Sequence, residues 1–145
     1  MRAAFLVGLV FAASLRPAAE ANTDRKRIPA FSVWIGEYRC YQGMTSMRLS
    51  IEARPNGEAS ASFEFGPHPD NKNLPKGELK MKGTIKLLSR GQLSIKLDPD
   101  RWITQPPGWT MVPVTATSDI EHRTLEGKMH QEHCGDLSAK RAEMD

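Results

Sequence analysis

Hydrophobic and polar residues alternate along most of the chain from Phe31 onward. In the first alternating segment, Trp34, Tyr38 and Cys40 share one face, and Glu37 and Arg39 share the other. Because successive side chains of a β-strand point to opposite faces, this pattern predicts strands that bury one side only. The same pattern predicts four further strands, whose apolar faces are Met47, Leu49, Ile51 and Ala53; Ala59, Ala61, Phe63 and Phe65; Leu79, Met81, Ile85 and Leu87; and Leu93, Ile95 and Leu97.

Turn-forming residues separate these segments. Pro55-Asn56-Gly57 predicts a tight hairpin, because Asn and Gly tolerate the positive φ angles that such turns need. Residues 66–77 and 98–109 are predicted to be loops, since both are rich in Pro and Gly and carry few apolar residues at strand spacing. Gly83 interrupts the apolar face of its strand, which predicts a bulge or a bend there.

The C-terminal part of the chain is predicted to add three shorter strands. Residues 111–116 form the sixth, which Pro113 restricts to an edge or a bulged position. Leu125 and Met129 mark a seventh strand, and Leu137 and Ala139 mark an eighth. About eight short strands joined mostly by tight turns predict an all-β fold, a small antiparallel barrel in a meander, because closure removes exposed strand edges. A two-sheet β-sandwich is the alternative.

The N-terminal region does not follow this alternation. A basic start precedes an uncharged apolar run over residues 3–15, and an Ala-Glu-Ala cleavage pattern follows at residues 19–21. Residues 1–21 are therefore predicted to be a cleavable signal peptide, with an apolar run too short for a transmembrane segment. Residues 22–30 are predicted to be a flexible arm and residues 31–145 a single β-rich domain. The expected location is the periplasm or the extracellular medium.

Cys40 and Cys134 are the two cysteines of the chain. An exported protein matures under oxidising conditions, in which such a pair normally forms a disulfide bond. A bridge between these residues places the first strand beside the last two, which favours a closed barrel over an open sheet.

Composition and charge narrow the range of partners. The chain has 20 basic and 17 acidic residues, a formal net charge of +3. So small a charge does not indicate nucleic-acid binding, which needs a clustered basic surface. Lys80, Lys82, Lys86 and Lys96 form a positive patch if their strands pair, with a solvated strand face as the simpler interpretation.

No motif predicts catalysis. The sequence has no Gly-x-Ser-x-Gly turn and no Gly-rich phosphate loop. His130-x-x-His133-Cys134 resembles a metal-binding cluster, but a closed zinc site needs four ligands, and Cys134 is expected in the disulfide. On a strand, His130 and His133 would also point to opposite faces. The protein is therefore predicted to be non-enzymatic, without a metal or another cofactor.

The segment from Arg101 to Trp109 is the most distinctive part of the chain, because two tryptophans flank a Pro-Pro-Gly turn. Large aromatic side chains on a rigid loop bind partners at low entropic cost. The predicted binding residues are Trp102, Gln105, Pro106, Pro107 and Trp109. Alternatively, both tryptophans turn inward and plug the end of the barrel.

Two resemblances accompany these patterns. Trp34-x-Gly36-x-Tyr38-x-Cys40-x-Gln42-Gly43, followed by Pro106-Pro107-Gly108-Trp109 and Cys134, resembles an uncharacterised group of exported bacterial β-rich domains. Tyr38-Arg39-Cys40-Tyr41-Gln42-Gly43 is similar to a stretch near the start of the membrane-bound-type inhibitors of C-type lysozyme. This second resemblance implies a small periplasmic eight-stranded barrel. The later Ser-Gly loop and Tyr…Lys-Gly motif of that family are not evident in this chain.

Taken together, the patterns predict an exported binding module of the bacterial envelope that recognises a protein or a glycan of the envelope or of a host. Inhibition of a lysozyme-like hydrolase is the narrower version, for which the acidic Asp98-Pro99-Asp100 is the candidate loop. One alternative is a carrier of a small apolar ligand or lipid, held among Phe63, Phe65, Met81 and Ile95. Another is an enzyme of unknown type, and the oligomeric state is left open.

Overall fold

A computed structural model describes residues 27–143, and this part of the chain contains eight β-strands and no helix. The strands are β1 (Phe31–Cys40), β2 (Gly43–Ala53), β3 (Glu58–Gly66), β4 (Gly77–Leu87), β5 (Leu93–Thr104), β6 (Val114–Ser118), β7 (Thr124–Met129) and β8 (Asp136–Arg141). None of the described residues forms a helix that could cross a bilayer. The predicted signal peptide and residues 22–26 of the predicted arm lie outside the described residues.

The strands form one closed antiparallel barrel in chain order. Closure occurs between β1 and β8, where Trp34 pairs with Arg141 and Tyr38 pairs with Leu137. On its other side β1 pairs with β2, so that Trp34 also faces Leu49. The predicted barrel is therefore confirmed, and the alternative of two packed sheets does not apply.

The alternation read from the sequence corresponds to the inside and the outside of this barrel. On β3, Ala59, Ala61, Phe63 and Phe65 are buried. The intervening Ser60 and Glu64 are exposed. Apolar faces of all the strands therefore meet in one core, as expected when a single sheet closes on itself. The hairpin at residues 55–57 is also confirmed, since Gly57 has a φ of +90°.

The core is buried from solvent at one end of the barrel, which we call the closed end. Trp34 fills it with no exposed surface, and its indole N–H donates a hydrogen bond of 3.0 Å to the Ser32 hydroxyl. The fully or almost fully buried residues that pack in the barrel include Leu49, Ile51, Ile95, Leu97, Val114 and Leu125. Ile28, from the predicted arm, packs against the same core. The carrier hypothesis placed Ile95 at a ligand, but this residue belongs to the solid part of the interior.

The prediction of a loop over residues 98–109 is wrong in its first half. β5 continues to Thr104, and Asp98 pairs with Lys82 of β4. The sequence predicted a loop here because Pro99 cannot donate a hydrogen bond to a neighbouring strand. It is tolerated because β6 pairs only with residues 94–97, which leaves this half of β5 hydrogen-bonded to β4 alone. Asp98-Pro99-Asp100 is therefore part of a strand and not an acidic loop.

Two further boundaries differ from the predictions. The sixth strand begins at Val114, just after Pro113, so the proline ends a loop and does not interrupt a strand. The register shifts between β4 and β5 lie between Glu78 and Leu79 and between Lys80 and Met81, and not at Gly83. Gly83 instead marks a place where two backbones come close together.

Gly83 is expected to tolerate no side chain. A Cβ atom built on it would lie 1.9 Å from the carbonyl oxygen of Lys96 on β5. Since that oxygen belongs to a paired strand, Gly83→Ala must separate the two backbones. We expect the free energy of unfolding to fall by roughly 2–3 kcal/mol, measured by urea denaturation.

Gly135→Ala is the matched control. The nearest atom to its added Cβ is the carbonyl oxygen of Arg39 at 3.8 Å, an ordinary contact. Its stability should stay within about 0.5 kcal/mol of the wild type. Equal midpoints for the Gly83 variant and the wild type would contradict the close approach of β4 and β5.

Candidate functional site

The best candidate site is a pocket at the other end of the barrel, which we call the end pocket. Its volume is about 590 Å³, within the range of roughly 300–1,000 Å³ that is usual for small-molecule sites. The β1–β2 turn, the β3–β4 loop, the β5–β6 loop and the β7–β8 turn all contribute lining residues. These residues are Tyr38, Cys40, Tyr41, Gln42, Phe63, Phe65, Leu74, Pro75, Leu79, Met81, Trp102, Gly108, Trp109, Thr110, Val112, Met129, Gln131, Glu132, His133 and Cys134.

Inward-facing strand residues form the floor of the end pocket. Tyr38, Phe63, Leu79, Met81 and Met129 are all buried. They come from β1, β3, β4 and β7, so the floor is the upper surface of the barrel core itself. An apolar floor of rings and thioethers suits apolar ligands, because sulfur and aromatic groups adapt to irregular shapes.

A cluster of three aromatic side chains forms one wall. Phe65 stacks on Trp109, with ring centroids 4.6 Å apart and planes 11° apart. Trp102 meets Phe65 edge-on, at 6.1 Å between centroids. Both tryptophans are half-buried and pack against the core, so each retains part of its surface on the pocket side.

Trp102 reaches this wall because of a bulge in β5. Leu93, Ile95 and Leu97 face inward, so strict alternation would direct residue 102 outward. Lys80 pairs with Arg101, whereas Met81 pairs with Pro99, which leaves Asp100 as an extra residue. The extra residue shifts the alternation by one, and Trp102 pairs with the inward-facing Leu79.

The predicted binding residues occupy different places in this geometry. Trp102 and Trp109 line the end pocket, whereas Gln105, Pro106 and Pro107 do not. The Gln105 side-chain amide donates a hydrogen bond of 3.1 Å to the Trp109 carbonyl. Pro106 is buried and accepts a bond of 3.2 Å from the Trp109 N–H, while Pro107 is exposed. These three residues shape the turn that presents Trp109.

Sequence reasoning missed most of the pocket. The sequence assigns Phe63, Phe65 and Met81 to a ligand only in the carrier alternative, and it assigns Tyr38 and Met129 only to strands. Their alternation identified them as inward-facing, but it did not show that the core leaves an open pocket at this end of the barrel. The β3–β4 loop, which supplies Leu74 and Pro75, carries no comparable signal.

The β3–β4 loop is fastened to the barrel by two polar contacts. His68 Nε2 lies 2.6 Å from the Glu37 carboxylate, and His68 Nδ1 accepts a bond of 3.0 Å from the Asp70 N–H. Because Nδ1 accepts, Nε2 carries the proton and donates to Glu37. The Asn71 side-chain amide donates a bond of 2.6 Å to the Gln42 carbonyl. The loop is thereby held at the rim of the pocket.

The disulfide between Cys40 and Cys134 is confirmed, and it borders the same pocket. It joins the end of β1 to the turn before β8, where the Gly135 N–H also donates a bond of 2.7 Å to the Arg39 carbonyl. The bridge therefore fixes two of the four segments that surround the pocket mouth.

The β7–β8 turn holds the residues of the suspected metal cluster. His130 and His133 lie in this turn and not on a strand, and His133 has a positive φ of 65°. The His130 ring contacts the Thr115 hydroxyl, while the His133 ring lies edge-on to Tyr41 at 6.3 Å. Among residues 27–143, no three His, Cys, Asp or Glu side chains form a metal-sized group.

Polar groups sit mainly on the rim. The Gln131 amide donates a hydrogen bond of 3.0 Å to the Thr110 hydroxyl, which ties the β7–β8 turn to the β5–β6 loop. Deeper in the pocket, burial raises the pKa of the Tyr38 hydroxyl, although hydrogen bonds with Thr45 and Gln42 oppose this effect. Tyr38 is therefore a neutral phenol at physiological pH.

Comparison of the sequence with models of known families and with curated proteins finds no match. The geometry of the end pocket is therefore the main indication of function.

Proposed function

We propose that this protein is a non-enzymatic binding protein that holds a small apolar ligand in the end pocket. The observation that carries the proposal is the combination of an apolar floor with the Phe65–Trp109 stack in the wall of an open pocket. A ligand that covers the half-buried rings removes apolar area from water, which contributes about 25 cal/mol for each Å².

The chemistry of the lining favours binding over catalysis. The titratable side chains on the rim are those of Tyr41, Glu132 and His133, and all three are largely exposed. Side chains in open solvent are not held in the fixed, water-excluded positions that catalytic acids and bases occupy. Burial raises the pKa of the Tyr38 hydroxyl, so that this group is not a base at physiological pH.

Export to the periplasm or the extracellular medium is part of the proposal. It is supported by the signal-peptide pattern of residues 1–21 and by a disulfide, which persists in oxidising compartments. A bacterial envelope location follows from the resemblance to exported bacterial domains.

A protein or glycan partner, including a lysozyme-like hydrolase, stays a prediction from the sequence. Two features make a small ligand the better proposal. Both tryptophans contribute to a concave wall, and the acidic segment at Asp98 belongs to a strand on which Asp100 lies 3.8 Å from Lys82. A carrier is therefore the alternative that the pocket favours.

The test is saturable binding of N-phenyl-1-naphthylamine, an uncharged aromatic probe whose fluorescence rises in apolar surroundings. We expect one site per protein and a dissociation constant in the micromolar range. Trp109→Ala removes the ring that stacks on Phe65, so the probe should bind at least tenfold more weakly to this variant.

Ile120→Ala is the matched control for the probe experiment. Ile120 is an exposed apolar residue in the β6–β7 turn, at the closed end, with 55% of its surface accessible. Its loss should leave binding unchanged if the probe enters the pocket. Equal affinity of the Trp109 variant and the wild type, with the barrel intact by circular dichroism, would overturn the proposal.

A further inference from the structure

Among residues 27–143, no Lys or Arg side chain lines the end pocket. Arg39, Lys76, Arg101 and Lys128 are next to lining residues in sequence, but all four are exposed and none of them lines the pocket. Among the lining residues of the described chain, the one carboxylate is that of Glu132, which lies 3.8 Å from His133 Nε2. The pocket thus offers apolar surface and neutral dipoles, with a negative charge at its mouth.

This charge pattern decides which head group a ligand can carry. An anionic head that enters the mouth gives up hydration without gaining a cation, and it approaches the Glu132 carboxylate. Burying an unpaired carboxylate is costly, and like charges at close range add to that cost. An uncharged head has neither penalty.

The rim can hydrogen-bond such an uncharged head. A side-chain amide has two N–H donors and a carbonyl acceptor. Gln131 uses one donor on Thr110, and Gln42 uses one donor on Thr45. Each amide therefore has remaining capacity for a hydroxyl, ester or amide group.

We propose that the end pocket selects ligands with an apolar body and an uncharged polar head, and discriminates against anionic lipids such as free fatty acids. The proposal rests on the proposed function and adds the chemical class of the ligand.

The test compares two molecules that differ only in the head group, 1-decanol and decanoate. Each displaces N-phenyl-1-naphthylamine from the wild-type protein at pH 8, where decanoate is ionised, and at 0.15 M salt, which screens outer-surface charges. We expect decanol to bind at least tenfold more tightly. Decanoate binding as tightly as decanol would overturn the inference while the pocket function stands.

The remaining outcomes separate the two proposals. If the aromatic probe binds but neither decyl compound displaces it, the ligand class is wrong and the pocket function still holds. If the probe itself does not bind saturably, the proposed function fails, and the ligand class fails with it.

A variant tests the physical reason directly. Gln131 is exposed on the rim, so Gln131→Lys adds a cation with little risk to the fold. We expect the affinity for decanoate relative to decanol to be at least fivefold higher in this variant than in Gln131→Met, which also removes the amide but adds no charge. An equal ratio in the two variants would show that the head does not reach the rim, contrary to the proposal.

Discussion

Replacing both Cys40 and Cys134 with alanine is expected to lower the free energy of unfolding by about 4–5 kcal/mol, measured by urea denaturation. The bridge spans 94 residues of sequence, and a loop of that size restricts the unfolded chain strongly. The bridge also stabilises the folded state, because it lies beside the pairing of β1 with β8 that closes the barrel.

The same variant is expected to weaken probe binding in the end pocket. Both cysteines line the pocket, and the bridge between them fixes the β7–β8 turn against the end of β1. The barrel core at the closed end is remote from the bridge, so the variant should retain its strands. Probe affinity and far-ultraviolet circular dichroism, measured in parallel, separate the local effect from unfolding.

Reduced wild-type protein is the control for the cysteine variant. It lacks the cross-link but keeps both side chains in place, so its stability should match that of the double-alanine variant within about 1 kcal/mol. A double variant as stable as the oxidised wild type would show that the bridge does not constrain the unfolded chain.

Trp34→Ala is expected to lower the free energy of unfolding by about 3–5 kcal/mol. The indole has no exposed surface, its N–H is bonded to Ser32, and the Arg141 guanidinium lies over its ring at 5.9 Å. Its removal leaves a cavity in the buried core, which the neighbouring strands cannot fill because each is paired on both sides.

Trp109→Ala is the matched comparison, since it removes the same side chain from the opposite end of the barrel. Trp109 is half-buried, so its loss should cost well under half as much stability. The expected pattern is a crossover: the Trp34 variant loses stability, and the Trp109 variant loses probe binding. Similar stability losses at both sites would mean that Trp109 is a core residue and not a pocket wall.

Much of the fold follows from local patterns. On β2 and β3, apolar residues alternate without interruption, as in Met47, Leu49 and Ile51, and the structure buries all three. The turn at Gly57 needs a positive φ, which the Asn-Gly sequence favours. Such features depend on one strand and its own side chains, so a single sequence is sufficient to predict them.

Predictions failed where neighbouring strands decide the outcome. Pro99 looked like a loop residue, but it is accommodated in β5 because no strand pairs with it on the side of β6. Gly83 looked like a bulge, but the two bulges lie opposite residues 78–81. Pairing partners cannot be read from the proline or the glycine alone.

The candidate site shows the same division. Trp102 and Trp109 attract attention in the sequence as large aromatic residues beside a rigid turn. Whether they project outward or inward depends on the extra residue at Asp100 and on the stack with Phe65, which comes from a distant strand. The apolar pocket therefore exists only once β3, β5 and the β5–β6 loop have come together.

The sequence by itself determined the class of the fold, the inward face of most strands and the disulfide. Alternation is visible within each strand, and two cysteines allow only one pairing. Only the tertiary structure decided that Trp34 fills one end of the barrel while two other tryptophans leave a pocket at the opposite end. The physical reason is that burial depends on how closely facing strands approach each other and on where side chains no longer fill the interior. Neither property follows from the order of residues along one strand.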